Sequence, residues 1–559
     1  MERIFVCLRG LVVSVQLAIS GEAYASEFIS PADQEIITQQ QKALLQQAQQ
    51  QRDAIRNNIT LSPSLEPKLD GAESICHTTH RIQFEGAESL SRSVRDGLTQ
   101  PYLSHCLTLQ DINGLVRKVS NAYIERGYVI SRAGLRAQDL STGILIITVS
   151  EGKVESISLD DETPLSLKMA FPGIVGKTLN LRDIEQGMEQ LNRLPSQQMT
   201  IDIQPGKQLG YSTVILKRIS TRLPVSVSFG ADNSGQKSTG TGQLNASMSL
   251  DNLLHFADQW SLSASRNSDF RNNHQSRSLS SHVTVPYGYW LFSYQYAWND
   301  SFQDIPIGSR TNRYEGDSQT HRLAVNRTLY RDGKQKLALN VGMTRRQTTN
   351  VMAGKKLSIS SSTLSVINFG VNYSSVLAGG YITFNPVLSR GLSVLGATKD
   401  DPHFPDMPRS QFRKFSLSAS YFIPVTDFIY YLSSIYGQTT PDNLYASESL
   451  SLGGQYSVRG FKEQYLTGNR GGYWRNELNW RVAELPVLGE LALTGALDTG
   501  WLQKKTGQID GGNVTGTALG VSLTNRRFNQ TMTLGTPLTH PDHLKPDNWV
   551  VYWSASLIF

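Results

Sequence analysis

Trp549-Val550-Val551-Tyr552-Trp553-Ser554-Ala555-Ser556-Leu557-Ile558-Phe559 is the stretch from which the fold of this chain is read. Trp549, Val551, Trp553, Ala555, Leu557 and Phe559 share one face, and Ser554 and Ser556 occupy the other. A period of two is the mark of an extended strand, here with one greasy, aromatic side and one small, polar side.

The same texture extends upstream to about residue 220. Residues 225–229, 243–250 and 260–264 alternate apolar with small or polar side chains, as do 290–297, 337–342, 381–388, 415–422, 474–482 and 491–497. A soluble sandwich can use such strands, but rarely so many in one unbroken series. A membrane barrel with a wet lumen requires them, because lipid lies outside and water inside. Residues 220–559 number 340 (559 − 219), and about 16 strands would use roughly 21 residues each with connectors. The expectation is a membrane all-β fold: an antiparallel outer-membrane barrel of about 16 strands. Its last strand would put aromatic side chains into lipid and end on Phe559, which resembles the terminal signal by which outer-membrane barrels are recognised for assembly.

The N-terminus carries an export layout. Arg3 and Arg9 precede the apolar run 11–19, and Ala23-Tyr24-Ala25 follows at the usual distance, which predicts a signal peptide over 1–25. Ser30-Pro31-Ala32-Asp33 then starts a helix, with a serine cap, proline at the first helical position and an acid at the third. The run to Ile55 is rich in glutamine and has one thin apolar edge, so it belongs in water or against a polar wall. We assign 26–56 to this helix and 57–74, with Pro63 and Pro67, to a linker.

Between linker and barrel lies an internal repeat. Leu107-Thr108-Leu109-Gln110-Asp111-Ile112 is echoed by Leu179-Asn180-Leu181-Arg182-Asp183-Ile184, 72 residues on (179 − 107). Each copy opens a helix with a capping side chain, Thr108 or Asn180, and an aspartate three residues later, a variant of the capping box. The helices precede strand-like segments at 128–130 and 143–149, and at 199–203 and 212–216. Two α+β modules, 75–150 and 151–219, are the plain reading, with a single merged domain as the alternative.

Composition excludes other classes. The 53 Lys and Arg are scattered among 47 acids, for a net charge of +6, without the basic stripe that nucleic acid needs. Of three cysteines, Cys7 would leave with the signal, and the pair Cys76 and Cys106 in an exported chain suggests one disulfide, two unrelated thiols being the alternative. His77 and His80 lie near Cys76 without a second His/Cys cluster, so no metal is expected. Gly176-Lys177-Thr178 resembles the end of a phosphate-binding loop, but Phe171 stands where its first glycine belongs. There is no Gly-x-Ser-x-Gly elbow, and neither catalysis nor a cofactor is expected.

Longer runs point to a family. Cys76, Cys106, residues 121–129 and residues 138–143 resemble the first polypeptide-transport-associated (POTRA) module of the two-partner secretion transporters, the TpsB group ShlB/FhaC/HecB. Residues 181–187, 190–193 and 201–206 resemble the second. Val458-Arg459-Gly460-Phe461 resembles the tip of that superfamily's pore-folded extracellular loop, and Asp498, in Ala496-Leu497-Asp498-Thr499-Gly500, resembles the lumenal acid that receives its arginine. Ala496 departs from the Phe or Gly more usual there. The resemblance implies an outer-membrane transporter with its modules in the periplasm, a pore helix acting as plug, and a secreted TpsA-type partner protein as cargo. It also implies contact with outer-membrane lipid and with the barrel assembly machinery. The rival reading within the superfamily is an outer-membrane assembly insertase.

Overall fold

The computed structural model describes residues 30–56, 76–307, 309–404, 406–503 and 511–559. The expected signal segment and linker lie outside the described residues.

Helix α1, Pro31–Arg56, comes first. Its cap is as expected: the Asp33 N–H donates to Ser30 Oγ at 3.1 Å, and the Ser30 hydroxyl donates to the Asp33 carboxylate at 2.7 Å.

Two modules follow. In the first, helices α2 (Arg92–Thr99) and α3 (Leu109–Glu125) pack on a three-stranded sheet ordered Arg81–Glu85, Ile144–Ser150, Arg132–Gly134. Ile112, Leu115, Val119 and Tyr123 recur along α3 at helical spacing, and all four are buried against Leu145, Ile147 and Val149. Thr108 and Asp111 form the reciprocal capping box: the Asp111 N–H donates to Thr108 Oγ1 at 3.2 Å, and the Thr108 N–H to Asp111 Oδ2 at 2.9 Å. Residues 128–130, expected as strand, form a turn, and the strand after α3 is Arg132–Gly134. Cys76 and Cys106 are joined in a disulfide, with Cys106 in the short strand His105–Leu107 that pairs with His77–Thr79.

The second module repeats the plan. Helices α4 (Leu165–Ala170) and α5 (Leu181–Asn192) cover a sheet ordered Lys153–Leu159, Tyr211–Thr221, Gln197–Pro205, over a core including Val154, Phe171, Ile184, Leu191 and Val214. Its cap departs from expectation. Asn180 Oδ1 accepts from the Arg182 N–H at 2.8 Å, and Asp183 instead accepts the Tyr289 hydroxyl at 2.6 Å. The repeated aspartate has turned from its own helix to a neighbouring loop.

That loop belongs to a closed antiparallel barrel of 16 strands, from Val225–Asp232 to Val550–Ile558. Neighbouring strands pair in sequence order, and the last returns to the first, with Ser554 opposite Asp232 and Ile558 opposite Ser228. Phe559 adds two backbone bonds with Val227, of 3.2 and 2.8 Å, and leaves its ring 75% exposed on the outer wall. Alternation sets the two faces. Phe229, Leu388, Phe415, Trp480 and Leu519 point outward, while hydroxyl pairs such as Thr383–Ser420 (2.7 Å) and Thr531–Ser554 (2.7 Å) line the inside. No helix among the described residues is long and apolar enough to cross a membrane.

The second module grips one end of the barrel. Gln186 and Gln190 of α5 donate to the Gly288 carbonyl at 3.3 and 3.2 Å. Arg331 reaches Gln186 at 2.8 Å and Glu189 at 3.1 Å, and Lys336 also pairs with Glu189. Arg193 reaches Thr284 and, at 2.6 Å, the Ala257 carbonyl. Burial pushes the Glu189 carboxyl up, but Lys336 and Arg331 outweigh it and hold the group below the usual glutamate range. These contacts mark the end of the barrel that faces the modules. Between the two modules, Glu151 accepts from the Ser89 N–H at 2.6 Å and from the Tyr123 hydroxyl at 2.7 Å.

Candidate pore and its occluding elements

The polar girth of α1 meets a polar wall. Inside the barrel Gln47 donates to Asn372 at 3.0 Å, Gln51 donates to Asn385 at 2.8 Å, and the Arg52 guanidinium lies 4.5 Å from the centre of the inward-facing Phe422 ring. Gln41 donates at 2.8 Å to the carbonyl of Ser451, which belongs to a loop. The apolar edge is buried at Ile36, Ile37 and Ile55. A glutamine-rich helix is a poor core element, yet here its donors find lumenal asparagines and a loop carbonyl.

The loop joins Ile429–Thr439 to Gly471–Leu485. It folds inward through a short 3₁₀ turn, Ala446–Glu448, and a small hairpin of Leu450–Leu452 with Leu466–Gly468. Leu450, Leu452, Val458, Phe461 and Leu466 form a buried apolar cluster with the wall residues Tyr473, Leu502 and Val514. At its tip Arg459 meets Asp498 three times: Nε to Oδ2 at 2.6 Å, Nη2 to Oδ1 at 2.7 Å, and the backbone N–H to Oδ2 at 3.1 Å. Asp498 is 0% exposed.

Small residues admit the tip. Gly460 has φ of +99°, which favours glycine, and a Cβ there would lie 2.5 Å from the Thr536 carbonyl oxygen. On the wall, a Cβ at Gly516 would fall 1.8 Å from the Arg459 carbonyl oxygen. Phe461 is fully buried, and its carbonyl accepts the Tyr552 hydroxyl at 2.8 Å.

The structure therefore brings Val458, Arg459, Gly460, Phe461 and Asp498 together; Cys76, Cys106 and Phe559 lie elsewhere, in the first module and at the barrel seam. Residues that sequence reading missed complete the site. Glu477 contacts Arg459 at 3.1 Å and Arg475 at 2.8 Å, so two arginines face two carboxylates. The other flank of the loop is tied by Glu448, which meets Arg346 at 2.8 Å and Lys414 at 2.5 Å. The available signal was a charge at an inward register position: Arg475 and Glu477 alternate with outward Trp474 and Leu478. Which charges meet depends on strand register, and Arg475 stands directly opposite Asp498. Buried charges are tolerable only when paired and bonded in this way. Loop and helix both lie inside the barrel and contact each other there through Gln41 and Ser451.

Comparison with known proteins gives a consistent picture. Residues 210–523 match the family described as haemolysin secretion/activation protein ShlB/FhaC/HecB, residues 77–152 a ShlB-type POTRA domain, and residues 153–205 a POTRA domain. The outer membrane transporter CdiB of Dickeya dadantii (strain 3937) is 44% identical over 559 residues, spanning 98% of this chain and 99% of the relative. The hemolysin transporter protein ShlB of Serratia marcescens is 31% identical, covering 67% of each chain. The solved structure of CdiB from Escherichia coli superposes with a TM-score of 0.90 at 43% identity, over 95% of this chain and 99% of the other.

Proposed function

The chain belongs to the ShlB/FhaC/HecB family of haemolysin secretion/activation proteins, and from that premise we propose how its parts move a partner protein across the outer membrane. The protein is an outer-membrane transporter of two-partner secretion, its modules in the periplasm, and it exports a secreted exoprotein. The observation that carries the finer reading is a closed barrel whose lumen holds both α1 and an infolded loop, with the second module fixed at the periplasmic mouth.

In this reading α1, within 26–56, is a plug. Its three glutamine bonds contribute about 2–4 kcal/mol at roughly 1 kcal/mol each, which is strong enough to hold the helix at rest and weak enough for arriving cargo to displace it. The loop tip Val458, Arg459, Gly460, Phe461 stays latched to the wall through Asp498 and leaves a polar channel beside it. The modules capture unfolded cargo by adding an extended segment to a sheet edge. Gln197–Pro205 and Lys153–Leu159, the outer strands of the second module, are the edges available. Folding of the cargo outside then prevents its return. The cargo is a large exoprotein of the haemolysin, adhesin or contact-dependent toxin kind. Phe559 acts during biogenesis as the signal read by the barrel assembly machinery.

Deleting residues 26–56 and recording in planar bilayers tests the plug. The expected result is a rise in open conductance, and an unchanged closed pore rejects it. Secretion of the partner encoded beside this chain, in a host with and without it, tests the transport reading itself.

A further inference from the structure

We infer that the outer wall carries a binding site for the phosphates of lipid A, the phosphorylated glycolipid of the outer leaflet, built on Arg390 and Arg413. The inference needs the barrel's orientation in the outer membrane and is independent of plug, loop and cargo.

Arg390 and Arg413 are direct partners across two adjacent strands, Gly380–Leu392 and Arg413–Pro424. Both face outward, because their chain neighbours face the lumen, Ser389 buried there and Lys414 paired with Glu448. Below them on the same face come Leu388 opposite Phe415, then Phe384 opposite Ala419. Leu388, Phe415 and Phe384 are exposed. Eight residues separate outward Ile382 from Arg390 (390 − 382). On a strand tilted by about 40° that is a height of about 20 Å, close to the roughly 25 Å of a barrel's apolar band. The two guanidinium groups therefore sit at the headgroup level on the side away from the modules. Arg345 is likewise the first outward charge above Leu337, Leu339, Val341 and Met343 on the strand Gln335–Met352.

Two like charges directly opposite each other repel, and arginine has no neutral form to retreat to. Arg390 makes no hydrogen bond or ion pair among the described residues. Arg413 is 70% exposed; its one carboxylate, Asp442, is 3.8 Å away and is shared with Arg409 at 4.0 Å. The contrast lies on the same wall. Arg266 and Arg277 are also cross-strand partners, but Arg277 is paired with Asp300 at 2.5 Å and Arg266 lies over the Phe270 ring. In that pair Arg277 has a close carboxylate and Arg266 a ring face, whereas Arg390 has no partner among the described residues and Arg413 only a distant, shared acid, which leaves room for an external anion. A phosphate on an acylated sugar satisfies both halves of the site, its oxygens taking the forked guanidinium donors and its acyl chains lying along Leu388 and Phe415.

The test is a binding titration of the full chain in detergent by native mass spectrometry, with bisphosphorylated lipid A, the same lipid dephosphorylated, and phosphatidylglycerol. The parent should bind bisphosphorylated lipid A about tenfold to a hundredfold more tightly than Arg390→Gln/Arg413→Gln does, which corresponds to losing one or two charge-assisted contacts. Dephosphorylated lipid should bind the parent as weakly as the phosphorylated lipid binds the double variant, and Arg266→Gln should bind like the parent. Heat-modifiable migration in gels shows that each variant is folded; should the double variant not fold, Arg390→Gln alone, at an exposed position, is read instead. Equal binding by parent and folded variant overturns the site, as does an equal loss in Arg266→Gln. Equal competition by phosphatidylglycerol overturns the glycolipid assignment.

Discussion

Replacing Asp498 by asparagine preserves shape and removes one charge from a cluster of four. Arg459 and Arg475 would then face Glu477 alone, leaving one buried cation uncompensated. Breaking a buried, hydrogen-bonded pair from one side costs about 3–5 kcal/mol. The Asp498 interaction is of that kind: three donors from Arg459 converge on it at 2.6–3.1 Å, and it has no access to water. At about 1.4 kcal/mol per decade, the population of undocked loop should rise by about two to three and a half orders of magnitude. Ser457, at the tip and fully buried, is a suitable reporter. In a Ser457→Cys background, thiol labelling should be slow in the parent and faster by that factor with Asp498→Asn, up to the limit set by the reagent. Adding Arg459→Gln should recover part of the loss, because the orphaned charge goes with it. The reasoning fails if Ser457→Cys stays equally protected in both backgrounds, or if the second change deepens the exposure by its full single-mutant amount.

Two further outcomes follow from the modules. Opening the Cys76–Cys106 disulfide with a Cys106→Ser change removes a closure of 30 residues; the first module should lose about 3–4 kcal/mol, seen as an earlier unfolding transition in calorimetry while the barrel transition stays in place. Docking of the second module should depend on pH through Glu189. Its folded pKa lies below the usual 4.5, so its contribution is complete above that value and is lost as the pH falls further, through the folded value. Limited proteolysis near residues 219–224 should stay constant from pH 8 to 5 and accelerate only in stronger acid, and Glu189→Gln should show the acid behaviour at neutral pH.

Much of this was legible locally. A strand facing lipid on one side and water on the other writes a period of two into its own residues, so 549–559 and its fellows could be read one at a time. The same holds for Ser30 and Thr108 as helix caps and for α3 with its apolar residues at helical spacing. The departures occur where a side chain serves a distant partner. Asp183 looks like a capping acid because its neighbours resemble those of Asp111, but its carboxylate accepts the hydroxyl of Tyr289, 106 residues on in the chain. Residues 128–130 look extended, but the turn after Gly127 must reverse the chain to bring Arg132–Gly134 against Ile144–Ser150.

Alternation by itself determined that the C-terminal part is a long series of strands with one greasy and one polar face, and the repeated helix starts that α+β elements precede it, because these properties follow from each residue's immediate neighbours; closure of the strands into a barrel is seen only in the tertiary structure. The tertiary structure alone decided what fills the lumen and which charges meet there. Arg475 and Glu477 can be read locally as charges at inward positions, but nothing local names the partners they meet, and nothing in Glu448 names Arg346 and Lys414. Their pairing is created by strand register and by a loop folding inward across sequence distances that no local pattern encodes, and burial then makes each pairing obligatory, since a charge taken from water must find its opposite.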